Sequence, residues 1–379
     1  MLAVTLTLLC AACMENDIVA PEEIEDPADF GTYYPGRNTN WDIRTAVEAG
    51  WDAASLDEAV QFAVANATPT GELAAALQAQ NGEFELTGPL KERGGPNGII
   101  LHRGYILAEW GDTARSDMVF DVASALLSTA IGLAVDRGMI QSVDDPVAGY
   151  VSDNGYASMH NTPITWRQGL QQTSEWVGEV FARPDIAGRI EEREPQAPGS
   201  VWEPNEARLD RLGLSATLVW GEFLGDVIDR EVLTPLGASR SWRWQGYRDS
   251  GVEIADQDIE TVAVSGRWGG GLWISSRDLA RFGLLYQRGG LWREDQLISS
   301  EYLAASLIPS EIEKTQGFLW RVNTESALWP AAPAESFGTF GFGENFLWID
   351  PSREIVVVVR WLAPENQNEL IEHVLAAAR

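Results

Sequence analysis

The stretch MVFDVASALLSTAIGLAVDRG, residues 118–138, carries one acid near its start and then runs apolar on every helical face. A helix that is hydrophobic all round belongs in the middle of a large domain, because no face of it suits water. Asp121 stands at its N-terminal end. There a carboxylate accepts free backbone N–H groups and complements the helix dipole, for about 1 kcal/mol. The same dipole lowers the carboxylate pKa and makes it a poorer base. The expectation for Asp121 is therefore a helix cap rather than a nucleophile or general base.

Outward from this helix the chain reads as strands at both ends with helices between. Residues 99–111, IILHRGYILAEWG, form two β-rich runs around Arg103-Gly104, a hairpin signal. Ser55 to Glu58, SLDE, has the spacing of a capping box and leads into an amphipathic run. Short and long helical patterns follow at 163–176 and 206–225, and residues 267–290 read as a glycine turn, a strand and a helix capped near Ser275 or Ser276. Residues 345–361, NFLWIDPSREIVVVVRW, are two strands joined by a turn, and a last helix closes the chain. This order predicts an α/β fold: an antiparallel sheet from N- and C-terminal strands, flanking helices, and a mainly helical insertion over about 121–265.

Composition narrows the function. The 379 residues are 45% hydrophobic and 22% charged, as in a globular protein, and 27 basic against 56 acidic residues give a net charge of −29. Such a surface repels a phosphate backbone, so nucleic acid is not an expected partner. Only three histidines are present (His102, His160, His373), and no metal or cofactor motif occurs. His160, in a loop, is expected to bond backbone rather than to act as a base. Residues 1–13, MLAVTLTLLCAAC, form an apolar leader too short to span a bilayer. They predict export to the periplasm or cell envelope, either by a plain signal or with membrane attachment through a lipidated Cys13. Residues 14–50, acidic and broken by Pro and Gly, read as a tether to a domain over 51–379.

The order of segments resembles serine β-lactamases and penicillin-binding-protein-like hydrolases, most of all the class C branch beside esterases and 6-aminohexanoate-oligomer hydrolases. Residues 119–151 resemble the nucleophile helix, and ITWRQGLQQTSEW, PGSVWEPNEARLDRLG, REVLTPLGASRSWRW, GGGLWISSRDLARFGLLYQRGGLW and IDPSREIVVVVRW follow in the family's order. The resemblance spans about residues 90–379 and implies a β-lactamase-like fold. It also implies a Ser-x-x-Lys pair whose amine takes the serine proton during attack on a carbonyl. At those places this chain has Asp121 and Ser124. No shift of register restores the pair: three residues before Lys91 is Gly88, and three before Lys314 is Glu311.

The family's tyrosine, whose phenol assists proton transfer, falls on Pro204 in WEPNEAR, beside Asn205 and Glu206. The family's glycine-rich strand falls on GTFGFGEN, where Gly341 and Gly343 allow a ligand close to the backbone. Arg267 stands where the resemblance implies a histidine, and either pairs with Asp121 or faces solvent. Among the tryptophans, Trp242, Trp244, Trp268 and Trp273 either line a pocket or pack in the core. The expected ligand-binding set is Asp121, Ser124, Asn205, Arg267, Trp268, Gly341 and Gly343. The expected function is a pseudoenzyme that has lost its acylation machinery and binds a small-molecule or peptide ligand in the vestigial cleft, or serves as a scaffold. The alternatives are an active ester or amide hydrolase with a non-standard nucleophile, and a protein-interaction module.

Overall fold

The computed structural model describes residues 31–37, 40–69, 71–82, 84–185 and 193–378. The apolar leader with Cys10 and Cys13, and the tether as far as residue 30, lie outside the described residues. Among the described residues no helix is long and apolar enough to cross a membrane.

The main sheet has six strands. In chain order these are β1 (Gly98–His102), β2 (Tyr105–Trp110), and, after a small sheet given below, β6 (Arg321–Val322), β7 (Phe337–Gly341), β8 (Asn345–Asp350) and β9 (Ile355–Val359). Their spatial order is β6-β7-β8-β9-β1-β2, antiparallel throughout. N- and C-terminal strands thus meet at the β9–β1 pair, with Gly98 opposite Val359 and His102 opposite Ile355. The unbroken apolar run of β9 has a simple cause: both faces of the sheet are covered. Val356 and Val358 join the core on one face, with Leu347, Ile349 and Phe282. Ile355, Val357 and Val359 join the other, with Trp348, Leu56 and Leu370. Alternate residues feed opposite cores, so no position is left for a polar side chain.

The second face is covered by helices α1 (Ala53–Ala65) and α7 (Gln367–Ala377), the first by α6 (Ser276–Gln287). Between them run α2 (Leu73–Asn81), α3 (Ser124–Asp136), α4 (Trp166–Leu170) and α5 (Glu206–Trp220). A three-stranded sheet of β3 (Ser116–Met118), β5 (Gly271–Ser275) and β4 (Arg243–Gln245), in that order, brackets the helical insertion. Helix α3 is buried from Ser124 to Ala134, as its all-round apolar pattern requires. Its few hydroxyls are satisfied inside: Thr129 Oγ1 donates to Ala125 O (2.9 Å) and bonds the Tyr286 hydroxyl (2.8 Å). Ser275 caps α6 by accepting from Asp278 N–H (3.0 Å), as its sequence predicts.

Two local expectations change. Helix α1 is capped by Asp52, which accepts from Ser55 N–H (2.8 Å), so the box at Ser55–Glu58 lies one turn inside the helix. The tether also ends earlier than residue 50. Tyr33 stacks on Tyr105 with ring centres 4.4 Å apart, and Trp41 is buried with its indole N–H donating to Gly104 O (2.7 Å). Ile43 then pairs with Ile106 as a parallel bridge on the β2 edge. Apolar aromatics docking on an open strand edge outweigh the acidic, Pro- and Gly-rich local composition.

Candidate functional site

Asp121 is not the cap of α3. It lies in a 3-10 turn, Phe120–Ala123, ahead of that helix, and no side chain caps α3 at Ala123. The turn holds Phe120 at φ 49, a left-handed conformation that costs a bulky aromatic about 1–3 kcal/mol. The turn aims the Asp121 carboxylate across the molecule, where Oδ2 accepts from Phe342 N–H (2.8 Å) in the β7–β8 connection. That contact explains Gly341: a Cβ there would stand 2.3 Å from Asp121 Cβ and Oδ2. Any side chain at 341 would drive the carboxylate out.

Glu206 is the first residue of α5, and its carboxylate meets Arg267 Nη1 at 2.9 Å. Arg267 also donates to Gln80 O on α2 (2.9 Å). The arginine therefore takes Glu206 as its ion-pair partner, neither pairing directly with Asp121 nor facing solvent as expected. Burial raises the Asp121 carboxyl to about 7, with the adjacent Glu206 charge adding to the rise and the Phe342 N–H and Arg267 opposing it. Glu206 is itself raised, by burial first, against the pull of Arg267.

These acids border a cleft of about 300 Å³ lined by Asp121, Ser124, Pro204, Asn205, Glu206 and Arg321 among others. The three positions that the resemblance assigns to serine, lysine and tyrosine thus converge on one cavity. No lysine or tyrosine is among the described residues that line it. The Ser124 hydroxyl donates to Leu319 O (3.5 Å), a carbonyl that cannot act as its base. Asn205 is engaged at both ends: its side chain caps α5 by accepting from Arg208 N–H (3.0 Å) and donates to Asp185 O (2.8 Å). It borders the cleft as a structural cap.

Two further expectations are corrected. Trp268 is fully buried, edge-on to Tyr247 and faced by the Arg183 guanidinium at 5.2 Å, so it belongs to the core. Trp242 and Trp244 pack in the core, one of the two places expected of them, and also edge a third cavity away from the cleft. Gly341 and Gly343 do not border the Ser124 cleft; they line a separate cavity behind Phe120. His160 lies off the cleft with Nε2 2.8 Å from Glu175 O, the backbone bond expected of it.

The sequence reading missed two residues with a direct bearing on the cleft. Arg321 bonds Gln316 Oε1 (3.1 Å) and Thr315 Oγ1 (2.9 Å) and faces the rings of Trp202 and Phe340 at 5.3 and 5.7 Å. It sits in no local motif. Glu206 had only its place beside Asn205 to mark it.

The raised Asp121 pKa has a measurable result. Its folded value lies above the ordinary 3.8. Its contribution to stability is therefore complete below that ordinary value and lost as pH rises through about 7. Asp121→Asn keeps an acceptor for Phe342 N–H and cannot ionise. Its advantage over the parent chain should grow by about 2 kcal/mol between about pH 5 and about pH 8, read by denaturant melts. Asp210, which burial also raises to about 7, is common to both chains and cancels. A constant difference between the two pH values would mean that Asp121 is already charged at the lower one.

Comparison with known proteins agrees with this geometry. The family model described as Beta-lactamase matches residues 91–369. An uncharacterized protein of Alkalihalophilus pseudofirmus is 24% identical over 302 residues, which covers 72% of this chain and 85% of that protein. Among solved structures, a penicillin-binding protein homolog from Caulobacter crescentus superposes with a TM-score of 0.57 at 16% identity, covering 82% of this chain and 99% of its own. A family VIII carboxylesterase gives a TM-score of 0.57 at 15% identity, covering 80% and 95%. These likenesses show the fold, and the family match extends from Lys91 through the sheet and its helical insertion into α7: the chain belongs to the beta-lactamase family.

Proposed function

We propose that the chain is a non-catalytic member of its family, a pseudoenzyme whose cleft holds a small-molecule or peptide ligand without turnover. The observation that carries this reading is the bond from Phe342 N–H to the Asp121 carboxylate. By the resemblance, the glycine-rich strand would offer its backbone N–H to a developing oxyanion. Here that donor is already bonded to the Asp121 carboxyl, which fills the place an oxyanion would take. No lysine or tyrosine among the described cleft residues stands in for the family's base, and the Ser124 hydroxyl is bonded to the Leu319 carbonyl. The purified chain should form no covalent adduct with β-lactams, fluorophosphonates or activated esters, as read by intact-protein mass spectrometry. Stoichiometric labelling of any serine would defeat the reading.

A second reading has one observation in its favour. A carboxyl raised to about 7 at the wall of a cleft is poised to take and give protons near neutrality. Under it the chain is an ester or amide hydrolase with Asp121 as base. Wild-type turnover that vanishes in Asp121→Asn, with the fold intact, would select this reading over the first.

The apolar leader supports a place in the cell envelope for either form. Cell fractionation that finds the full-length chain in the cytoplasm would argue against it.

A further inference from the structure

Behind the Phe120–Asp121 turn lies a second cavity, of about 420 Å³, that has no lining residue in common with the Ser124 cleft. Its size falls within the range of small-molecule sites, about 300–1,000 Å³. Helix α2 builds it. Leu77 is fully buried against Met118 and Phe120, with Leu73 and Phe342 packed on the same cluster. That anchor leaves the remaining face of α2 bridging a hollow whose walls are apolar: Leu73, Met118, Phe120, Phe342 and Trp361.

Four charged residues border this hollow, and they are not equivalent. Arg93 lies 4.0 Å from Glu344, donates to Thr68 O (2.9 Å) and Oγ1 (2.8 Å), and stacks on Trp361 at 4.2 Å. The Thr68 hydroxyl in turn donates to Glu344. That cation and that anion answer each other. Glu72 is exposed at the start of α2. Lys91 differs. Its half-buried ammonium donates to Ser116 O and stands 5.8 Å from the Trp273 ring, and no carboxylate among the described residues forms a salt bridge with it. An ammonium has three donors, so two remain after the Ser116 bond. Among the charged residues that line this hollow, Lys91 is the one cation with no salt bridge to a described carboxylate. The local attraction acts inside a Debye length of about 8 Å, where the repulsion of the distant surface acids is screened.

We infer that this cavity binds an amphipathic monocarboxylate, with its alkyl chain between Leu73, Met118 and Phe342 and its carboxylate on the Lys91 ammonium. The inference does not rest on the pseudoenzyme reading: it uses no lining residue of the Ser124 cleft, and takes from Phe342 its side chain rather than the N–H bonded to Asp121.

The test titrates the full chain with decanoate and with decanol, by calorimetry and by the fluorescence of the flanking Trp273 and Trp361. Decanoate should bind saturably at one per chain, and decanol roughly tenfold more weakly. Lys91→Met should weaken decanoate roughly tenfold, the loss of one charge-assisted contact, and leave decanol nearly unchanged. Ala76→Trp, on the exposed face of α2 at the mouth of the cavity, should abolish binding of both. No saturable decanoate binding, equal affinity for the two probes, or an undiminished Lys91→Met would overturn the inference. If Lys91→Met does not fold, Ala76→Trp decides alone: full affinity for decanoate in that variant overturns it.

Discussion

A chain carrying Asp121→Ser, Ser124→Lys and Pro204→Tyr together is expected to be acylated by activated esters, where the parent chain is not. The three positions already border one cleft, and 121 and 124 are one helical turn apart, so the new hydroxyl and amine would be neighbours. Removing the carboxylate does a second thing. It releases Phe342 N–H, now 2.8 Å from Asp121 Oδ2, to serve a developing oxyanion. One such donor is worth about 10²–10³ in rate. Gly341 already leaves room, since its missing Cβ is the reason that a side chain fits at 121 at all. Each single substitution should stay inert, because nucleophile and base act as a unit. Intact mass after exposure to a fluorophosphonate or a p-nitrophenyl ester reads the result. A folded triple variant that remains unlabelled would mean that the cleft has lost more than three side chains.

The largest stability loss is expected from Glu175→Ala, about 3 kcal/mol, because it removes the buried carboxylate that Arg193 and Arg208 share and leaves both leaning on Glu203. Glu175 is fully buried in a left-handed turn (φ 50) in the QQTSEW segment. Its carboxylate accepts from Arg193 and Arg208, both at 2.7 Å, and from Gln196 N–H at 2.8 Å. Glu203 lies 2.8 Å from Arg193 and 3.1 Å from Arg208, and Asp185 3.8 Å from Arg208, closing a network of three acids and two bases. Glu203 N–H donates to Gln172 O (3.0 Å), so the same network holds Gln172 beside Pro204 at the cleft wall. Burial pushes the Glu175 carboxyl up, but the two arginines and the Gln196 N–H outweigh it and hold the group down at about 2. A depressed folded pKa gives stability that is present above the ordinary 4.5 and lost as pH falls towards 2. Glu175→Gln should flatten that acid limb while costing less than Ala, since it keeps the shape and some acceptors. Urea melts at neutral and acid pH check both statements, and parent-like stability in Glu175→Ala would remove this network from the account of the fold.

Much of the architecture is legible in the chain itself. Residues 118–138 announce a buried helix because no face of them suits water, and α3 is buried from Ser124 to Ala134. The Ser275 cap, the Arg103-Gly104 hairpin and the paired strands β8 and β9 are local events, set by residues a few places apart. The absence of Ser-x-x-Lys is likewise plain in the sequence, since neither Lys91 nor Lys314 has a serine three places before it.

What the sequence did not determine is the set of partners. Local spacing made Asp121 a cap of the helix that follows it, but its acceptor is used by Phe342, 221 residues away. Local spacing also could not pair Arg267 with Glu206 rather than Asp121, or turn Trp268 into the core and away from the cleft. Periodicity and capping signals report whether a side chain is buried and how an element begins, because both depend on near neighbours. Which charge meets which, and which glycine makes room for it, depends on how β7, α3 and α5 cross. The tertiary structure alone set the Asp121–Phe342 bond and the Glu206–Arg267 pair, because each joins groups on separate elements that only the packing of the sheet against the helical insertion brings within bonding distance.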